Sequence, residues 1–275
     1  MAVSVTRYTK RCSCVTRRDQ HPASTYFSGS GFPGPSAARY KLSIEEFEKH
    51  LEAISSVFHS TPITVFDLLA ANAPEENLLL TFDDGGASAS RIAEMLKPRG
   101  WRGHFFITTD YIGRPAFLDR AQIYALRSSG HVIGSHSCSH PQRMSSCSFE
   151  QVLLEWRRSA ETLAEIVGEP ITVASVPRGN YSAQVARAAA QAGIKFLLTS
   201  EPTARCRMIE GCWILGRYGI LQGMSPRSSA DFATGRFLPC FEQWSLWNAK
   251  KLLKRMGGIY YHRIRDLSLG ERSHS

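Results

Sequence analysis

Alternating strand and helix signals along most of this 275-residue chain predict an α/β protein built on a mainly parallel sheet. Short apolar runs recur at regular intervals, and amphipathic stretches with their own start and stop signals lie between them. Two clusters of chemistry-bearing side chains each fall just after an apolar run, the end of a strand at which sites form in parallel sheets and barrels. Pattern alone does not separate a closed barrel from an open sheet.

Residues 1–40 are basic and rich in Arg, Ser, Gly and Pro, including Ser28-Gly29-Ser30-Gly31-Phe32-Pro33-Gly34-Pro35, and read as an irregular lead-in. Order is expected from Ser43, where Ser43-x-x-Glu46 forms a capping box ahead of Phe47, Leu51 and Ile54 at helical spacing. Leu78–Phe82 reads as a strand, Ala89–Leu96 as a helix and His104–Thr108 as a strand. Asp119-x-x-Gln122 then caps a helix ended by Gly130, and His131–Gly134 is the next strand. A long helix follows from the Ser148-x-x-Gln151 box, with Val152, Trp156, Leu163 and Val167 on one side and Gly168 and Pro170 at its end. Strand Val173–Val176, helix Ser182–Gln191, strand Lys195–Thr199 and strand Trp213–Leu215 complete the series. The barrel region is placed at 41–236 and a tail at 237–275. That tail mixes Trp244, Trp247, Leu252 and Leu253 with Lys250, Lys251, Lys254 and Arg255. Such a composition suits a helix packed on the core, or one lying at a membrane interface.

A length of 275 residues and 43% hydrophobic content support a substantial core, and the formal charge of +9 suggests anionic surroundings. No nucleic-acid motif accompanies the charge. Seven cysteines at 12, 14, 138, 147, 206, 212 and 240 form no disulfide framework, which fits reduced thiols in the cytoplasm. Arg17-Arg18 lacks the apolar stretch of an export signal, and no run reaches transmembrane length. These features predict a cytoplasmic protein, with the tail as a peripheral contact at the inner face of the membrane. They leave the oligomeric state open.

The chemistry concentrates in Thr81-Phe82-Asp83-Asp84-Gly85 and His136-Ser137-Cys138-Ser139-His140. Adjacent side chains at a strand end diverge, so one aspartate can ligate a metal while the other acts as a general base. The two imidazoles lie in a loop, because Pro141 disfavours a helix through His140. One carboxylate and two histidines, with a position left for water, form the ligand set of a catalytic zinc-type site. Cys138, between the histidines, is expected to face away.

These motifs resemble the polysaccharide deacetylases with the NodB-homology domain, metal-dependent carbohydrate esterases and amidases, from about Lys41 to about Arg236. The resemblance implies a distorted, incompletely closed (β/α)7 barrel, with Asp83 as the base and Asp84, His136 and His140 as ligands of one divalent ion. Zinc is the first choice, with Co, Ni or Mn as alternatives. Ser175-Val176-Pro177-Arg178-Gly179 stands at the family's Arg-x-Pro-Tyr-Gly-like groove wall. Pro177, Arg178 and Gly179 are thereby implied as substrate contacts, and Ser175 replaces the arginine that orients the base. The family's Leu-x-His, source of the leaving-group proton, has Leu215-Gly216-Arg217 as its nearest counterpart. Arg217 cannot be a proton donor at ordinary pH. It is expected instead to line the groove and grip an anionic substrate group or the oxyanion. The function implied is removal of acetyl groups from N-acetylated sugars of a polysaccharide or a lipid-linked precursor. The alternatives are an O-acetyl esterase or non-sugar amidase on the same fold, and a metal- and carbohydrate-binding module that has lost turnover.

Overall fold

The computed structural model describes residues 3–8, 31–33, 39–68 and 77–249. In chain order the strands and α-helices used below are β1 (Val3–Tyr8), α1 (Ile44–Ser55), α2 (Val65–Leu68), β2 (Asn77–Phe82), α3 (Ser88–Leu96), β3 (His104–Ile107), α4 (Arg120–Ser128), β4 (Val132–Ser135), α5 (Phe149–Val167), β5 (Val173–Ser175), α6 (Ala183–Gln191), β6 (Phe196–Leu198), β7 (Cys206–Ile209), β8 (Cys212–Leu215), β9 (Tyr218–Ile220) and α7 (Pro226–Ala233). The three capping boxes read from the sequence are all formed, by Ser43 with Glu46, Asp119 with Gln122, and Ser148 with Gln151. Gly168, in the left-handed conformation, ends α5.

Among the described residues nine strands form one sheet in the order β9-β1-β2-β3-β4-β5-β6-β8-β7. Neighbours from β2 through β8 in that order run parallel, whereas β1 is antiparallel to both β2 and β9, and β7 is antiparallel to β8. Only Gly216 and Arg217 separate the end of β8 from the start of β9, a link that spans at most about 11 Å. The sheet must therefore curl until its two sides nearly meet. No ladder joins β8 to β9 among the described strands, and the result is an α/β barrel left open along one seam.

Side-chain alternation divides the core in two. Leu79, Phe106, Val132, Val173, Phe196, Leu198 and Leu215 face inward and pack with Val65 of α2. Leu78, Leu80, Phe82, Phe105 and Ile107 face outward against Phe47, Leu51, Ile92 and Ile123 of the surrounding helices. Buried His104 fastens α2 to the barrel. Its Nε2 accepts from the Val65 N–H at 3.0 Å, so Nδ1 carries the proton and donates to the Leu80 carbonyl at 2.8 Å.

The opening segment departs from the expectation of an irregular lead-in. Val3–Tyr8 pairs with β2 over its whole length and with β9 through Val3, Ser4 and Val5. The physical reason is that β2 and β9 would otherwise present unpaired edges to each other, and an alternating segment with buried Val3 and Val5 fills the space. A helical stretch continues through residues 237–249, where Phe237 and Leu238 are exposed and the rings of Phe237, Phe241 and Trp244 form a stacked series. The lysines and arginine of the basic tail, from Lys250 onward, lie outside the described residues, as do His262, His274 and the Arg17-Arg18 pair. No described helix is long and apolar enough to cross a membrane.

Candidate metal centre and active site

The loops that carry Asp84, His136, His140 and Arg178 leave the carboxyl ends of parallel strands, and several of their residues take conformations that are unfavourable for ordinary residues. Asp84, Ser137, His140 and Arg178 all have positive φ, from 54° to 78°, in company with Gly85 at 75°. Each such non-glycine position costs on the order of 1–3 kcal/mol and persists only where its surroundings over-determine it. Here the surroundings are hydrogen bonds. Glu155 of α5 accepts from the N–H groups of Cys138 and Ser139 at 2.9 and 2.8 Å, and from the Ser139 hydroxyl at 2.6 Å. Ser135 Oγ receives the Ser137 N–H, and Ser137 Oγ receives the His140 N–H, both at 3.1 Å. The histidine loop is thus held from beneath at nearly every residue.

Asp84, His136 and His140 converge. Nε2 of His136 lies 3.4 Å and Nε2 of His140 3.6 Å from Asp84 Oδ1, and one ligating atom from each residue lies within 4.8 Å of the others. These separations are long for hydrogen bonds. They match the edges of a tetrahedron around an ion with bonds of about 2.0–2.2 Å, whose ligand atoms lie about 3.3–3.6 Å apart. Nδ1 of His136 donates to the Ser175 carbonyl at 2.9 Å, which leaves Nε2 with its lone pair toward the centre. Burial, followed by the neighbouring His136, pushes His140 down to about 3 and keeps that imidazole neutral, as a ligand must be. Asp84 turns Oδ1 toward both Nε2 atoms, the arrangement of a carboxylate that shares an ion with two imidazoles. The residues present fit a divalent cation of the zinc type.

Asp83 faces a different set of partners. Arg217 Nη1 donates to Asp83 Oδ1 and Nη2 to Asp83 Oδ2, each at 2.7 Å, and Ser175 Oγ donates to Oδ2 at 3.2 Å. The same guanidinium reaches Ser175 Oγ at 2.8 Å, Thr81 Oγ1 at 3.2 Å and the Thr199 carbonyl at 3.1 Å. Burial works against the charged carboxylate, yet the Arg217 guanidinium overcomes it and the net shift is downward. Arg217 is itself only 4% exposed. The expectation that it lines the groove and grips substrate is therefore corrected: its planar fork is consumed by Asp83 and by the ends of β2, β5 and β6. It stands where the barrel seam is open and fixes the orientation of the Asp83 carboxylate.

That motif divides. Arg178 is exposed and close enough to His140 for its charge to lower the imidazole. Pro177 is buried, and Gly179 is half-buried, packed so closely on Ser200 that a Cβ would come within 2.8 Å. Of the three expected substrate contacts, only Arg178 presents a side chain outward. Cys138 turns away from the centre, its thiol donating to Asp110 Oδ1 at 3.0 Å, and burial with this bond pushes it up to about 11. The described cysteines, 138, 147, 206, 212 and 240, are all free thiols.

Three residues at the site gave no sequence signal. Lys41, just ahead of α1, is buried; burial lowers its ammonium pKa while nearby Asp84 raises it. Glu155 has no motif around it. Phe32, from the Gly- and Pro-rich segment, stacks on His140 with ring centroids 4.2 Å apart.

The comparisons with known proteins agree with this construction. A profile of the family Polysaccharide deacetylase matches residues 70–197, a span that contains both aspartates, both histidines and the third motif. Through that region the chain is similar to the polysaccharide deacetylase family, of the NodB-homology class. YxkH of Bacillus subtilis, provisionally named a polysaccharide deacetylase, is 27% identical over 66% of this chain and 66% of its own length. The peptidoglycan-N-acetylmuramic acid deacetylase PdaA of the same organism is 26% identical over 47% and 48%. The chain thus spans just under two thirds of YxkH and about half of PdaA. Among solved structures, IcaB from Ammonifex degensii superposes with a TM-score of 0.61 at 22% identity, over 76% of this chain and 99% of that one. The Streptococcus pyogenes deacetylase PplD, solved with acetate, gives 0.59 at 20%, over 67% and 89%. At such identities the structures establish the shared fold. Phe32 and Arg217 both lie outside the matched span.

Proposed function

We propose that this chain is a metal-dependent hydrolase that removes acetyl groups from N-acetylated sugars of a polysaccharide or a lipid-linked saccharide. The observation that carries the reading is the division of labour at the end of β2: Asp84 turns to the two histidines, and Asp83 is held ionised beside them by Arg217. Asp84, His136 and His140 would hold a zinc-type ion, whose chemistry when bound would be to acidify a water and polarise the carbonyl under attack. Asp83 accepts the proton from the attacking water. One oxygen, Oδ1, receives only the Arg217 Nη1 contact among the described residues and keeps a lone pair for this transfer. Arg217 and Ser175 fix the carboxylate plane so that the lone pair does not swing away. The resulting Asp83 carboxylic acid then returns the proton to the departing amine. Exposed Arg178 offers a cation at the rim, which suits an acidic saccharide.

A second reading, O-acetyl ester hydrolysis, is favoured by one observation: Arg217 occupies the place where the resemblance puts the proton-donating histidine, and an alkoxide needs less acid assistance than an amine. The exposed Phe237 and Leu238, next to the basic tail, support a further element of the proposal, contact with a membrane surface that carries lipid-linked substrate. Acetate release from matched N- and O-acetylated saccharides, before and after chelation and after zinc is restored, tests the reading. Chelator-sensitive release from N-acetylated substrates is expected. Metal retention with no release from either series would instead identify a binding module.

A further inference from the structure

We propose that Phe32 is the positioning residue for His140 and contributes directly to the affinity of the metal centre; this rests on the metal-binding reading above. The ring lies nearly parallel to the imidazole, at 26° and 4.2 Å between centroids. It also meets Tyr111 and Phe117 edge-on, at 4.6 and 5.1 Å, and those two rings lie 4.8 Å apart. Phe32 is thereby wedged between His140 and the loop that follows β3. That loop is tied to the histidine loop by the Thr109 N–H to the Ser137 carbonyl and the Asp110 N–H to the Cys138 carbonyl, at 3.2 and 3.0 Å.

The two histidines are oriented by different means. The Nδ1 atom of His136 donates to the Ser175 carbonyl, whereas no described residue hydrogen-bonds the side chain of His140 other than through its contact with Asp84. Stacking on Phe32 takes the place of the usual outer hydrogen bond. The stack has a further property that a hydrogen bond lacks. An imidazole that shares its lone pair with a cation gains positive character, and the negative face of a benzene ring attracts it more strongly than it attracts the neutral ring. Part of the contact energy is therefore realised only when the ion is bound, and it adds to affinity rather than only to folding.

The backbone that delivers the ring is specific as well. Gly31 donates its N–H to the Ala116 carbonyl at 2.8 Å and has φ of +70°, a conformation that glycine adopts without strain. The sequence Gly31-Phe32-Pro33, set in a segment that reads as irregular, is in fact the device that seats a side chain at the catalytic end of the barrel.

The test is zinc affinity by chelator competition, with the cobalt-substituted absorption spectrum as a second readout, on the full chain and its variants. Phe32→Ala should weaken zinc binding about 10-fold or more, in the range that loss of an outer-shell partner causes. Phe32→Tyr should restore affinity to within about twofold, because the ring face is retained. Gly31→Ala should weaken zinc as Phe32→Ala does while leaving the ring in the sequence. In a His140→Ala background, Phe32→Ala should change affinity no further, an outcome that a general effect on folding does not produce. If the parent binds zinc and Phe32→Ala binds it equally, with the cobalt spectrum unchanged, the inference is overturned and the metal centre stands. If the parent binds no zinc, the metal-centre reading fails and takes this inference with it.

Discussion

Asp83 and Asp84 are covalent neighbours at the end of one strand, yet one is clasped by a buried guanidinium and the other is turned toward two imidazoles. The backbone makes the difference. Asp83 continues the inward and outward alternation of β2, while Asp84 takes φ of +78° and Gly85 follows at +75°, so the second carboxylate swings out of the strand direction. The two groups have opposite surroundings: Asp83 sits beside a fixed cation, whereas Asp84 faces the two imidazoles with which it would hold an ion. The pairing teaches that a strand end followed by a left-handed turn can place two identical side chains in two electrostatic settings within one residue.

The largest expected effect breaks the base and leaves the ligand set intact. Asp83→Asn should lower turnover by roughly 10²–10⁴, since general base catalysis contributes about that much. Steady-state acetate release at saturating substrate measures it, and a change of less than tenfold would remove Asp83 from the chemistry.

Next comes the partner. Arg217→Ala leaves the Asp83 carboxylate buried without a counter-charge, a loss of about 3–5 kcal/mol for such pairs. In a chain of this size that corresponds to a fall in Tm of about 10 °C. Adding Asp83→Asn to the Arg217→Ala variant should recover part of the loss, because no orphaned charge remains. A thermal melt in which the two substitutions simply add would contradict the account.

Acid should expose a third difference, this time between the site and the barrel beneath it. Burial holds His50, His104 and His131 down to about 4, whereas unfolded imidazoles titrate near 6.5. Between those values the unfolded chain binds protons that the folded chain does not. Stability should therefore be level above about pH 7 and decline as pH falls from about 6.5 toward 4, with His104 alone contributing up to about 3 kcal/mol. The depressed carboxylates add their loss at lower pH still. Urea melts across that range give the slope, and His104→Asn should flatten it.

The smallest effect belongs to Ser175. Its hydroxyl bridges Asp83 and Arg217, but the bidentate contact persists without it, so Ser175→Ala should cost about 1 kcal/mol of stability and less than about tenfold in turnover. Acetate release and a melt on the same sample separate the two quantities.

Much of the fold was legible because its signals are local. Capping boxes, apolar runs and terminal glycines placed α1 and the elements from β2 through α6 close to where they stand. Two elements carried readable signals of their own. Ser225 followed by Pro226 opens α7 with an N-cap and an N1 proline. Glu210-Gly211, both with positive φ, is the tight turn between β7 and β8. Other features have no local signature. The pairing of β1 joins residues about 70 and 215 positions apart in a short, basic stretch. The two histidines and both aspartates announced themselves by type and spacing, since few other settings call for that combination. Arg217 did so only as a missing histidine, because its partnership with Asp83 spans 134 residues and depends on the curl of the sheet. Phe32 had no titratable chemistry to mark it.

The central claim is that the two adjacent aspartates divide ligation from base catalysis, and metal content measures it most directly. Zinc per chain should be determined by atomic emission for the parent, Asp83→Asn and Asp84→Asn after dialysis against the same zinc buffer. The account predicts about one zinc in the parent and in Asp83→Asn, and a clear loss of bound zinc in Asp84→Asn. Loss of zinc from Asp83→Asn with retention by Asp84→Asn would contradict it and reverse the assignment of the two carboxylates.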